Sequence, residues 1–402
     1  MKHRIARLGL LAAAAIALSG VACAQNVPAQ FVVSGKAAEK IQDFTTINLA
    51  TAQRIAETCE RLVTAHGGGQ QSIIFLDNAG NHIYYDRMDG QGYTNVVTPE
   101  MKALTALRTR APSVLIQNIV AQNPEMEAYE VQLGRYPVEG GIPIIINHQM
   151  IGVVGAGGYP PNPPDWEDGI CAYKAMLEVL GPSIPPLPED VRQQRPAPRA
   201  NLLPTSRFGT TTPPKSSLSP EFVVTGAGAV HIFDANQISL AAAKKLVRAC
   251  RDWASAKGTT MSAYVLDNAG EMVHMERMDG QASSDMHTAL LKAQTALRLR
   301  EPTSIRGTQM LNAGRALPRN TSPNMFNFFL ASGGIPIVVD GQMIGAVGVS
   351  GVDGAQDENC AIEGLKAALG DHATLPSSRG RRRPRTLAGR TALNAAGACT
   401  IL

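Results

Sequence analysis

Aromatic side chains are scarce. Phe, Trp and Tyr make up 5% of the 402 residues, and there are only two Trp, so any core has to be built mainly from aliphatic groups. Long apolar runs are missing beyond the first twenty-five residues, which excludes a chain that crosses a membrane on helices. H-E-x-x-H is absent and no Cys/His group has ligand spacing, which removes zinc-hydrolase chemistry. The glycines of GVVGAGG and GAVGVSG lack the Lys-Ser/Thr of a phosphate loop and the strand-to-helix setting of a dinucleotide site. They read instead as places where strands press closely on a helix. A cationic body is missing too. The formal charge of +4 sits at the ends: Lys2, Arg4 and Arg7 in front, and Arg379, Arg381, Arg382, Arg383, Arg385 and Arg390 against Asp371 behind. What lies between is mildly acidic, so nucleic acid is not an expected partner.

What is present suffices for folded domains. Apolar residues reach 44%, and a chain of this length calls for two domains of ordinary size. The opening MKHRIARLGLLAAAAIALSGVACAQ has a basic front, an apolar stretch too short to anchor and an A-x-A site at Ala22–Ala24. Residues 1–24 are therefore expected to be a cleaved secretory signal, and the mature protein periplasmic or secreted. Cys23 would suit a lipoprotein, but Gly20 stands where that motif wants a large aliphatic residue.

The chain repeats itself. LDNAG…RMDGQ at 76–91 returns at 266–281 with ten of sixteen positions identical. GGIPIIINHQMIGVVG at 140–155 returns as GGIPIVVDGQMIGAVG at 333–348 with eleven of sixteen. Offsets near 190 are too long for a solenoid and mark one domain duplicated. Domains are expected at 25–181 and 221–370. The proline-rich stretch 182–220 forms an extended linker, and a basic tail occupies 371–402.

Within each copy the periodicity predicts a helix (46–66 and 237–257), then a hairpin turning at Asn-Ala-Gly. A second helix (97–110 and 284–300) stops before Pro112 or Pro302, and a further helix follows it. A second hairpin turns at Asn147-His148 or Asp340-Gly341, and a last helix lies near 167–180 and 356–369. The fold class is α+β: two tandem homologous domains, each an antiparallel sheet flanked by helices.

The succession LDNAG…RMDG…KAxTA…P(S/T)…GGIPI…GQMIGAVGVSG resembles the GlcG/HbpS-like haem-binding family over nearly all of both copies. The resemblance implies a compact α+β domain that self-associates through its sheet or a helix face, and a haem or small-molecule ligand. Haem needs cations for its propionates and an axial ligand. Arg87, Asp89, Lys102 and Gly141 of the first copy, with Arg277, Asp279, Lys292 and Gly334 of the second, are the candidate binding residues around a cationic cleft. His287 is the candidate iron ligand. The first copy has Tyr84, Met88 and Val97 where the second has His274, Met278 and His287, so either the ligand lies elsewhere or only the second copy binds in this way. No C-x-x-C-H is present, so haem would not be covalently attached.

Two further readings stay open. Lys292 and Asp279 could exchange protons with a small carboxylated metabolite held by Arg277, as in a lyase or isomerase. Alternatively, the repeated phrase serves folding only, with Asp77, Asn78 and Gly80 building a turn. The cysteines at matched positions of the first and last helices predict the bridges Cys59–Cys171 and Cys250–Cys360, favoured by export.

Overall fold

A computed structural model describes residues 28–33, 45–66, 69–159, 168–182, 184–185, 187, 216–225, 236–312 and 327–376. Residues 1–27, which contain the expected leader, most of the stretch 182–220 expected as a linker, and residues 377–402 lie outside the described residues.

Each half opens on an amphipathic helix: α1 (Leu49–Ala65) and α6 (Leu240–Ala256). Both begin at a side-chain cap. Asn48 accepts from the Thr51 amide and Ser239 from the Ala242 amide, each satisfying an amide that the first turn leaves open. Their buried stripes match: Leu49, Ala52, Ile55, Ala56, Cys59 and Val63 against Leu240, Ala243, Leu246, Val247, Cys250 and Ala254.

A hairpin follows, β1 (Gln70–Leu76) with β2 (His82–Arg87), and β5 (Ser262–Leu266) with β6 (Met272–Arg277). Gly80 and Gly270 turn these hairpins at φ 85° and 89°, a region that only glycine enters at no cost. Next come α2 (Thr94–Thr109) and α7 (Ser283–Leu299). Both end at a left-handed arginine, Arg110 or Arg300, two residues ahead of the proline.

Helices α3 (Val114–Gln122) and α4 (Met126–Gln132) continue the first half, and α8 (Thr303–Asn312) the second. The second hairpins are β3 (Gly141–Ile146) with β4 (Gln149–Tyr159), and β7 (Gly334–Val339) with β8 (Gln342–Ser350). Their two-residue turns place both central residues at positive φ, the geometry that matches strand twist. Helices α5 (Asp168–Leu180) and α9 (Gly354–Leu369) close the halves.

All eight strands join one antiparallel sheet in the order β3-β4-β1-β2-β6-β5-β8-β7. The halves meet strand to strand, β2 on β6, with Tyr85 opposite Met275 and Asp86 opposite His274. Helices α2 and α7 share one core across this seam, in which Tyr85, Val96 and Ala103 pack with Tyr264, Met275 and Met286. On the other face each half keeps its own core, under α1 and α5 or under α6 and α9.

The disulfides Cys59–Cys171 and Cys250–Cys360 tie the first helix of each half to its last, with Cα–Cα distances of 5.2 and 4.7 Å. Among the described residues no helix is long and apolar enough to cross a membrane.

The sheet glycines do press on helices. A Cβ at Gly155 would lie 1.9 Å from the Pro99 carbonyl oxygen, and one at Gly348 would lie 2.0 Å from that of Ala289. The same holds for Gly141 and Gly334. A Cβ there would meet the carbonyl oxygens of Lys102 and Lys292 at 2.0 and 2.3 Å. These two glycines, expected among the binding residues, therefore face a helix backbone at contact distance and leave no gap for a ligand there.

Candidate functional site

The repeated phrase acts across the seam. Asp77 Oδ1 accepts from the amides of Ala79 and Asn81, both at 2.9 Å, which is the expected turn. Its Oδ2 accepts from Arg277 Nη2 of the other half at 2.7 Å. The reciprocal pair is Arg87 with Asp267, at 2.6 Å. The arginine of RMDG thus pairs with the aspartate of the opposite LDNAG, and not with its own neighbour.

Asp89 and Asp279 also reach across. Asp89 Oδ1 accepts from the Leu240 amide at 2.8 Å, and Asp279 Oδ1 from the Leu49 amide at 2.9 Å. Each half therefore caps the first helix of the other. Burial pushes both carboxyls above their ordinary range, against the pull of these amides and of the nearby arginines.

Lys102 and Lys292 lie elsewhere. Both are buried at the contact of the second helix with the sheet. Lys102 Nζ donates to Asp168 at 2.7 Å and to the Ala156 carbonyl at 3.1 Å. Lys292 Nζ donates to Asp357 at 2.8 Å and to the Val349 carbonyl at 2.9 Å. For Lys102 burial acts downward, but Asp168 and Glu139 prevail and raise its pKa. The expected cleft with arginines and lysines side by side does not form, because each cation has a carboxylate of its own. Nor do Lys292 and Asp279 converge as an acid and base pair would have to.

His287 is exposed on α7. His274 is fully buried on β6, where Nδ1 lies 2.6 Å from Asp86 and Nε2 lies 3.2 Å from Glu276. Lys244 reaches Asp86 and Glu60 at 2.8 Å, and Arg251 reaches Glu276 at 2.8 Å. Burial acts downward on the imidazole, but Asp86 and Glu276 carry its pKa up to about 9. Burial, with the Asp86 charge, raises Glu60 to about 8 against Lys244. This network ties α1, β2, α6 and β6 together across the seam.

The space for a ligand lies at the Arg277 end of the seam. A cavity of about 320 Å³ opens between the turn of the first half and the RMDGQ segment of the second. Val33, Ile47, Ile83 and Met278 supply apolar wall. Thr46, Asp77, Asn81, Arg277, Asp279 and Ser283 supply polar groups. The symmetry-related place, at Arg87, Asp89 and Ile238, has only about 10 Å³.

Two of the substitutions between the hollows put longer side chains beside the closed one. Where the open cavity has Thr46, the closed one has Gln237. Where the open one has Ser283, the closed one has Tyr93. Gln237 Nε2 donates to Asp267 at 2.5 Å and to the Tyr93 hydroxyl at 3.3 Å. The Tyr93 ring lies against Arg87, 5.7 Å from guanidinium carbon to ring centroid. Sequence reasoning missed these four residues. The signal was legible as two mismatches beside well-matched stretches, but nothing in the chain says that two loops so far apart converge.

The cavity does not fit haem iron. Among the described residues its lining holds no His, Cys or Tyr. The single soft donor, Met278 Sδ, accepts from the Met261 amide at 3.4 Å. One arginine, already paired, stands with two aspartates where two propionates would need positive charge. Among the described residues no cluster of His, Cys, Asp and Glu is arranged to hold a metal ion.

The comparisons agree with the duplication. A 15.0 kDa protein in the dhaT-dhaS intergenic region of Citrobacter freundii is 35% identical over 128 residues, covering 32% of this chain and 89% of that one. Protein GlcG of Escherichia coli K12 is 37% identical over 109 residues, covering 27% of this chain and 77% of GlcG. The crystal structure of HbpS is 28% identical and covers 35% of this chain and 94% of its own, with a TM-score of 0.31. By their lengths, the Citrobacter protein and GlcG each correspond to a single half. The family described as haem degrading protein HbpS-like matches twice, at residues 47–176 and 238–366, and the chain belongs to that family in two consecutive copies.

Proposed function

We propose that this is an exported ligand-binding protein whose site is the cavity at Arg277, Asp279 and Thr46. The observation that carries the reading is the asymmetry of the seam. Duplication supplies two equivalent hollows. One is filled by Gln237 and Tyr93, and the other keeps about 320 Å³, within the range of small-molecule sites. Apolar walls with a few convergent polar groups are the usual make-up of such a site.

Binding is favoured over lyase or isomerase chemistry. A proton-abstracting site needs its acid and base within reach of one substrate, whereas Lys292 is committed to Asp357 and Asp279 to the Leu49 amide. Two disulfides support an oxidising compartment. Self-association is proposed through the helix face of the first half, where Val97, Met101, Ile119 and Tyr129 are exposed.

The test is a panel of small molecules, haemin included, screened by thermal shift against the full chain and against the double substitution Thr46→Gln/Ser283→Tyr. Ligands of the cavity are lost in that variant. Haemin held through His287 would survive it and be lost in His287→Ala. If no stabilisation by any compound depends on Thr46 and Ser283, the cavity is not the site.

A further inference from the structure

We infer that the open cavity takes a small aliphatic amine in its ammonium form, with Asp279 as the counter-ion. The inference rests on the cavity being the binding site. Most polar groups of the lining are already committed. Asp77 Oδ1 accepts from the Ala79 and Asn81 amides, and its Oδ2 from Arg277 Nη2 at 2.7 Å and Asn81 Nδ2 at 3.2 Å. Gln281 donates to Asp285 at 2.6 Å and accepts from Thr260 at 2.7 Å. Asp279 differs. Its Oδ1 accepts from the Leu49 amide at 2.9 Å. Among the described residues its Oδ2 has no hydrogen-bond partner, and it is not sealed from solvent.

The charges of the wall do not balance. Arg277 is paired with Asp77, so Asp279 is left as one carboxylate in excess. Asp89 is its counterpart in the other hollow and caps α6 in the same way. There the space is about 10 Å³, enough for about one water. Capping accounts for one oxygen of each aspartate, and only Asp279 of the two has room for a ligand beside the other. A carboxylate that has lost part of its water is stabilised by a cation that also hydrogen-bonds to it. An ammonium supplies both, with three N–H donors. A carboxylated ligand of the kind expected from the sequence would instead add a second unbalanced acid. The body of the ligand follows from the rest of the wall, where Val33, Ile47, Ile83 and Met278 offer aliphatic surface.

The experiment is calorimetric titration of the full disulfide-bonded chain with hexylamine, hexanol and hexanoate, which share one chain and differ in the head group. Hexylamine should bind once per chain and at least about tenfold more tightly than hexanol, with hexanoate weakest. Asp279→Asn keeps an oxygen for the Leu49 amide and removes the charge. In that variant, confirmed folded by circular dichroism, the amine should lose its advantage over the alcohol. Thr46→Gln/Ser283→Tyr should weaken both by more than about tenfold. Hexanol or hexanoate binding as tightly as hexylamine overturns the inference. So does an amine preference that survives Asp279→Asn, or amine binding indifferent to the filling pair, which would mark adsorption to the acidic surface. If hexylamine fails to bind while other compounds of the panel depend on Thr46 and Ser283, the ligand class falls and the cavity stands. If nothing depends on those positions, both fall.

Discussion

Lys292 and His274 show how differently a buried charge can be used. Lys292 holds together α7, β8 and the start of α9 through Val349 and Asp357. Removing one member of a buried pair leaves the other without compensation, so Lys292→Ala should lower unfolding free energy by about 3–5 kcal/mol. Urea denaturation would measure it. Adding Asp357→Ala should recover part of the loss, because the stranded charge is then gone.

His274 makes stability depend on pH. Its folded pKa is about 9, against an ordinary value of 6.5. Below about pH 6.5 both states hold the proton and the contribution is complete. As pH rises from there through 9 the unfolded chain has released the proton and the folded one retains it, so stability falls. The loss is on the order of 2–3 kcal/mol. Glu60, raised from 4.5 to about 8, pulls in the same direction over a lower window. Denaturation at pH 6.5 and pH 9.5 should show the fall, and His274→Gln should flatten its upper part.

At the scale of elements, each first helix starts on a residue from the other half. Asp279→Ala removes the acceptor of the Leu49 amide and should cost about 1 kcal/mol, as a lost cap does. Asp89→Ala should do the same to α6. The arginines should differ from each other. Asp267 is fully buried and Asp77 borders the open cavity, so Arg87→Ala should destabilise more than Arg277→Ala by denaturant titration, since water can reach the carboxylate left behind only in the second case.

The helices themselves were legible in the sequence, because an apolar face and a polar cap are local properties. So was the turn at Asp77, whose Oδ1 bonds run to residues two and four further on. Arg87 was not legible in the same sense. Its partner lies 180 residues away, and nothing local to RMDG points to it. Lys102 and Lys292 stand at matched positions of the two copies, but their burial depends on how each helix turns against the sheet.

At the scale of the molecule, two halves behave as a fused heterodimer. Helix α1 presents Gln53, Glu57 and Glu60 where α6 presents Lys244, Arg248 and Arg251. Across the seam Lys244 meets Glu60 at 2.8 Å and Arg248 meets Glu57 at 3.5 Å. Two first halves would set acid beside acid, and two second halves would set cation beside cation. Segments 25–181 and 221–370, produced separately and mixed, should therefore elute as a one-to-one pair in size-exclusion chromatography, in preference to either homodimer. Within each half the disulfide closes a loop of more than a hundred residues. Reducing either bridge should cost about 4 kcal/mol, read as a lower denaturation midpoint in reductant.

The sequence by itself determined the duplication, the α+β class, the order of elements and the pairing of matched cysteines. Each of these depends on periodicity, turn chemistry or direct comparison of one copy with the other. Only the tertiary structure decided that β2 and β6 join the halves into one sheet, that the repeated aspartates and arginines serve the opposite half, and that one of two equivalent hollows is filled. Those outcomes depend on which distant side chains meet at a seam. A pair such as Gln237 and Tyr93 acquires its meaning only when folding brings both against Asp267 and Arg87.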